Sequence, residues 1–305
     1  MIYFDCADKD LDARVKQVCA PLFATVQFLR DGHHESTTSA TVTFIRFEGR
    51  IYGVTCHHVL AAFYAAAIKQ QKRIIPTLHT TPGINQIGWP TAFGGYQWGF
   101  QSCREFLKPT DLTDSEAGTL LDRKNADKPD IGIADLTDMW PLLQQFRAAN
   151  AIDLDAWIEP DWSTAQSVWM AFGYPDDHKY RQDDKISAPM PRVSAQLVSA
   201  PSTDRTQFTL CSTLASAHGW GFSGLSGGPI VAAHTTEDRY AFVGITFEGS
   251  PSTKEALQSD ESFVGKEDIL LFGYYLSPDR FREWLTARSH SIEFPAQGTA
   301  MPVSS

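Results

Sequence analysis

Gly224-Leu225-Ser226-Gly227-Gly228-Pro229-Ile230-Val231 sets one serine among glycines and then runs directly into an apolar, β-favouring segment. Glycines on both sides of Ser226 allow a tight turn with backbone angles that a side chain would forbid, and they leave room for a substrate carbonyl to approach. Pro229 ends the turn. This makes Ser226 a candidate nucleophile; the bland alternative is a tight turn between strands with no chemistry. A serine hydroxyl reacts only when a base takes its proton, so the reading requires a histidine and an orienting carboxylate elsewhere.

Both occur upstream. Arg50-Ile51-Tyr52-Gly53-Val54-Thr55-Cys56-His57-His58-Val59-Leu60 is a β-favouring run that gives way to an alanine-rich helix expected over Ala61 to Lys69. His58 is the candidate base, with His57 as the alternative one residue away. Lys128-Pro129-Asp130-Ile131-Gly132-Ile133-Ala134-Asp135-Leu136 places an acid at the head of a short apolar strand, which makes Asp130 the candidate orienter. Asp127 and Asp135 are weaker candidates, since one has no apolar run directly after it and the other lies at the strand's far end.

Taken in the order His, Asp, Ser, the three motifs resemble those of trypsin-like (chymotrypsin-fold) serine endopeptidases, closer to bacterial housekeeping proteases than to secreted digestive enzymes. His58 matches because a valine follows it, Asp130 because it opens an aliphatic strand, and Ser226 because it sits in Gly-x-Ser-Gly-Gly-Pro. More weakly, the likeness runs from about Leu22 to Leu285. It implies an all-β fold of two six-stranded antiparallel barrels, with an amino-terminal and a carboxy-terminal helix. It also implies peptide hydrolysis through an acyl-enzyme on Ser226, with backbone N–H groups of Gly224 and Ser226 as the oxyanion hole.

By the same resemblance the substrate would lie along Thr246-Phe247-Glu248-Gly249, with Phe247 and Gly249 as substrate-binding residues and Trp220 at the base of the specificity pocket. Trp220 stands where trypsin carries an acid, so the match implies a small or apolar residue before the cut rather than a basic one. Leu225 replaces the aspartate that captures a freed amino terminus in secreted relatives, so activation by amino-terminal clipping is not expected. Two other readings stay open. One is a catalytically silent binding module (a pseudoprotease). The other is an α/β-hydrolase esterase, since Gly224, Ser226 and Gly228 also spell Gly-x-Ser-x-Gly. That elbow requires a following helix and a later acid and histidine, whereas Pro229 to Ala233 reads as a strand.

Composition fits a compact enzyme. The 305 residues are 43% hydrophobic and 20% charged, enough for one large or two fused cores. The net charge of −10 and the absence of any Lys/Arg cluster argue against a nucleic-acid partner. The first ten residues lack the pattern of a secretory signal and no segment is apolar enough to span a bilayer, so a cytoplasmic location is expected. Five scattered cysteines without Cys-x-x-Cys spacing read as reduced thiols, and Cys56 as a buried packing residue. His33-His34-Glu35 reads as a hairpin tip rather than a metal site. No metal and no cofactor is expected; the expected partners are a protein or peptide substrate and an activating protein.

Along the chain, residues 1–21 should hold an amino-terminal helix, 22–136 the first barrel, 137–163 a linker, 164–289 the second barrel and terminal helix, and 290–305 a disordered tail. First-barrel strands are predicted at Leu22 to Arg30, Thr41 to Glu48, Arg50 to Thr55, Ile74 to Thr77, within Gln97 to Leu107, and at Ile131 to Leu136. In the second barrel they are predicted at Ser167 to Phe172, Val193 to Ser199, Gln207 to Cys211, Pro229 to His234, Tyr240 to Phe247 and Ile269 to Leu276. Glu48-Gly49-Arg50 reads as a hairpin turn, Met139 to Ala149 as a linker helix, and Ser277-Pro278 as the start of a helix through Ala287.

Overall fold

A computed structural model of the chain describes residues 3–5, 8–27, 34–70, 74–78, 99–106, 124–158, 168–175, 180–182, 185–199, 206–213, 224–234, 239–251 and 268–291. In chain order these form β1 (Tyr3–Asp5), α1 (Asp8–Val18), β2 (Cys19–Gln27), β3 (His34–Phe47), β4 (Arg50–Thr55), α2 (His57–Gln70), β5 (Ile74–Leu78), β6 (Phe100–Ser102) and β7 (Gly132–Asp135). Next come α3 (Trp140–Arg147), β8 (Ile152–Asp153), β9 (Val168–Phe172), β10 (Tyr180–Gln182), β11 (Lys185–Ser187), β12 (Arg192–Ser199) and β13 (Gln207–Thr213). The last are β14 (Pro229–His234), β15 (Arg239–Pro251), β16 (Asp268–Tyr275), α4 (Pro278–Ala287) and β17 (His290–Ser291).

The second half closes. From β15 the pairing runs through β14, β9, β12, β13 and β16, and β16 returns to β15, giving an antiparallel barrel of six strands. Alternate residues point inward, as a pleated strand requires. Val193 and Ala195, Phe208 and Leu210, and Ile230 and Ala232 meet Val243 and Leu271 in one apolar cluster. β1, which the sequence reading placed in a helical segment, instead lies beside β15, Tyr3 opposite Ala241.

The first half is a sheet in the order β17-β6-β7-β4-β3-β2-β5, with β8 parallel to β3. All six predicted strands occur in it, yet among the described residues it does not close. The reason is at β6. One edge of that strand pairs with β7, and the other takes β17, with His290 opposite Ser102. A strand flanked on both edges cannot also meet β5. The β3–β4 hairpin turns at Glu48 and Gly49, whose φ angles of 50° and 72° are left-handed. The Asp155 carboxylate accepts from both turn N–H groups, at 2.8 and 3.3 Å, which holds the non-glycine residue there.

α4 follows β16 of the closed barrel, against which Trp284 packs edge-on at Tyr274, and it reaches across to the first sheet. The Ser277 hydroxyl accepts from the Arg280 N–H at 3.3 Å, and Pro278 occupies the first turn, where no N–H is needed. Phe281, fully buried, packs edge-on against Phe47 and Tyr52 of the first sheet, each at 5.4 Å between centroids. Arg282 lies over the Phe47 ring and pairs with Glu48 at 3.1 Å. No described helix is long and apolar enough to cross a membrane. Phe281→Ala should therefore lower the unfolding free energy by about 3–5 kcal/mol, measured by urea denaturation, because it leaves a cavity where α4 packs on the first sheet. A loss below about 1 kcal/mol would mean that Phe281 does not anchor α4 to the first sheet.

Candidate active site

The serine turn is built by both halves. Gly227 has φ +87°, and a Cβ there would stand 2.1 Å from the Thr41 carbonyl oxygen; at Gly228 it would stand 1.9 Å from the Phe172 carbonyl oxygen. Only glycine fits such an approach. In the other direction, β3 and β4 point three fully buried threonines at the turn. Thr41 Oγ1 donates to the Gly224 carbonyl at 2.8 Å, the Thr41 N–H to the Ser226 carbonyl at 3.1 Å, and Thr43 Oγ1 to the Gly227 carbonyl at 2.7 Å. Thr55 Oγ1 donates to the Thr41 carbonyl at 2.8 Å. With these carbonyls drawn toward the first sheet, the N–H groups of Gly224 and Ser226 have no acceptor among the described residues.

His58 lies in the first turn of α2. Its N–H donates to Asp130 Oδ1 at 2.9 Å, its Nδ1 is 2.7 Å from Asp130 Oδ2, and its Nε2 is 2.9 Å from Ser226 Oγ. Asp130 thus caps the positive end of α2 while holding the imidazole. Burial pushes the Asp130 carboxyl up, but the His58 hydrogen bonds and charge, helped by Arg104, outweigh it and hold the group below the usual carboxylate range. An ionised carboxylate accepts only, so Nδ1 carries the proton and bare Nε2 faces the serine hydroxyl. Tyr274, with its phenol pushed up to about 12 by burial, accepts the Asp130 N–H at 2.9 Å.

The neighbours that competed with these residues are occupied elsewhere. His57 is buried, its Nδ1 2.7 Å from Ser102 Oγ and its ring against Phe106. Asp135 pairs with Arg50 and accepts from the Thr137 N–H, while Asp127 is exposed. Cys56, a buried thiol that desolvation pushes well up, donates to the Thr246 carbonyl at 3.4 Å. Phe247 turns its ring into the core, 4.3 Å from Tyr274, and presents its carbonyl to Ser226 Oγ at 3.3 Å. Gly249 pairs with Leu271 on β16, and Trp220 lies outside the described residues, as does His33. No three His, Cys, Asp or Glu side chains gather as a metal site among the described residues.

Sequence reasoning missed Thr41, Thr43, Arg104 and Tyr274. Arg104 Nη1 stands 4.0 Å from Asp130 Oδ1, and its Nε donates to the Lys128 carbonyl at 2.8 Å. The Thr-Val-Thr-Phe alternation of β3 was the available signal: both faces are buried, so hydroxyls on one of them must meet polar backbone.

No protein-family profile matches the sequence, and the comparison with curated proteins gives no match. Among solved structures the chain is similar to a thermostable serine protease, AL20, from an extremophilic microorganism, at 12% identity and a TM-score of 0.41, over 90% of this chain and 97% of that one. It is also similar to the tobacco vein mottling virus protease, at 12% identity and a TM-score of 0.40, over 95% of this chain and 89% of that one.

Two outcomes follow from the geometry. Thr41→Val keeps the shape but strips a hydroxyl that bonds the Gly224 carbonyl and the Tyr174 N–H. It should cost about 2–5 kcal/mol in urea unfolding, against about 1 kcal/mol for Thr41→Ser, and equal costs would count against the clamp. Burial lowers His57 from 6.5 to about 4. Between those values the unfolded chain binds a proton that the folded one refuses, so stability falls as pH drops through that window. The advantage of wild type over His57→Gln should shrink by about 2 kcal/mol from pH 7 to pH 5. A difference independent of pH would contradict a buried neutral imidazole.

Proposed function

We propose that this chain is a serine endopeptidase of the trypsin-like, chymotrypsin-fold kind, bacterial in type, with His58, Asp130 and Ser226 as its triad. The observation that carries this reading is the unbroken run from Asp130 Oδ2 to His58 Nδ1 at 2.7 Å and from His58 Nε2 to Ser226 Oγ at 2.9 Å. On this reading the first sheet is the counterpart of the closed barrel, and the substrate lies in the cleft between them.

His58 Nε2 takes the Ser226 proton as Oγ bonds to the scissile carbonyl carbon, and then returns it to the leaving amine as the C–N bond breaks. A water molecule, deprotonated by the same nitrogen, hydrolyses the resulting ester and frees Ser226. Asp130 stays ionised and stabilises the imidazolium. The N–H groups of Gly224 and Ser226, without other acceptors among the described residues, receive the oxyanion; each such donor is worth roughly a hundredfold to a thousandfold in rate.

Beyond Thr246, β15 pairs only with β16 among the described strands, so its other edge at Phe247, Glu248 and Gly249 is open to an extended peptide running past Ser226. Leu225, 2% exposed, is packed in the barrel core and offers no charge to a freed amino terminus. No disulfide joins the described cysteines, which suits a reducing compartment such as the cytoplasm. Purified Ser226→Ala and His58→Ala should each abolish nearly all hydrolysis of an unfolded protein substrate, and Asp130→Asn should lower turnover by roughly ten-thousandfold with the fold intact by circular dichroism. Full activity in His58→Ala, or loss confined to His57→Ala, would overturn the assignment.

A further inference from the structure

A cavity of about 370 Å³ opens where α1, β3, the approach to β8 and β15 meet, lined by Arg14, Gln17, Arg46, Asn150, Asp153 and Phe242, with Ile152 adding to its apolar wall. Arg14 and Arg46 enter it from different elements, α1 and β3. Neither has a hydrogen-bond, ionic or ring partner among the described residues. Other described arginines are engaged: Arg50 with Asp135, Arg104 with the Lys128 carbonyl, Arg280 with Glu283, Arg282 with Glu48, and Arg288 over the Tyr52 ring. In a chain where acidic residues outnumber basic ones by 36 to 26, two unmatched guanidiniums in one small cavity stand out. Asp153 lines the same cavity opposite Arg46 in register and leaves the lining with a net positive charge; its carboxylate accepts from the Asp155 N–H and forms no ion pair with either arginine.

Two like charges on one cavity repel unless an anion lies between them, and a planar guanidinium holds a carboxylate or phosphate through paired hydrogen bonds. The apolar side at Phe242 and Ile152 removes water from that contact. The volume falls at the small end of ligand sites. We propose that this cavity binds a small organic acid, its carboxylate or phosphate between Arg14 and Arg46, its remaining oxygens within the range of the Gln17 and Asn150 amides, and its apolar body against Phe242. Because Phe242 belongs to the closed barrel and Arg46 to the first sheet, the bound acid joins the two halves and stabilises the folded chain.

Isothermal titration of the full chain with succinate, with inorganic phosphate and with neutral succinamide tests this without reference to hydrolysis. One of the two anions should bind at a single site with a Kd of about 1 mM or tighter and raise the melting temperature, with succinamide inert. Arg14→Gln, on the exposed side of α1, and Arg46→Gln should each weaken binding about tenfold or more. Preference for succinate or for phosphate separates carboxylate from phosphoryl ligands. Absence of saturable binding by both anions, or binding unchanged in both variants, would overturn the proposal.

Discussion

Three buried threonine hydroxyls set the terms for this molecule. Thr41, Thr43 and Thr55 lie at zero exposure in the first sheet, where a hydroxyl without a partner would cost on the order of 1–3 kcal/mol. Two of them find acceptors in the carbonyls of the turn around Ser226, and the third ties β4 to β3 within the same layer. The turn is equally dependent on the sheet, since Gly227 holds a left-handed angle with its Cα against the Thr41 carbonyl. Neither half can withdraw without stranding polar groups in a dry interface. The Ser226 hydroxyl is consequently placed by a contact between sheets rather than by its own strand.

The same logic separates two adjacent histidines. His57 faces inward, where desolvation holds it neutral down to about pH 4, and bonds Ser102 in the wall that carries Ile131 and Asp130. His58 faces the cleft, with its side chain 48% exposed, and bridges the two halves from Asp130 to Ser226. One residue of helical rotation turns the first ring into packing and the second toward Asp130 and Ser226. Asp130 remains charged in a buried position because α2 begins at it, His58 donates to both its oxygens and Arg104 stands close by.

Much of this was legible in the sequence because its signals are local. Alternation and β-branched residues located twelve of the fifteen strands of the two main sheets, and Ser277-Pro278 located α4 at its N-cap. The motif residues His58, Asp130 and Ser226 were singled out by what flanks them, and the structure brings their side chains within hydrogen-bonding distance. Apart from the short local hairpin of β10 and β11, what could not be read depends on partners distant in the chain. β1, β8 and β17 are two or three residues long and have no period of their own; they are strands only because β15, β3 and β6 present open edges. β17 also keeps the first sheet from closing through β6, a consequence that no pattern near β6 could announce. Phe247 turns its carbonyl to Ser226 Oγ while its ring belongs to the core, an orientation set by packing against Tyr274 on β16.

On the proposed reading His58 makes the Ser226 hydroxyl a nucleophile where the two halves meet. Treatment with a fluorophosphonate, followed by digestion and tandem mass spectrometry of the intact chain's peptides, reads that reactivity at a single atom. One adduct is expected, on Ser226, absent from chains carrying His58→Ala. A native chain that stays unlabelled, or one labelled equally well without His58, would contradict it.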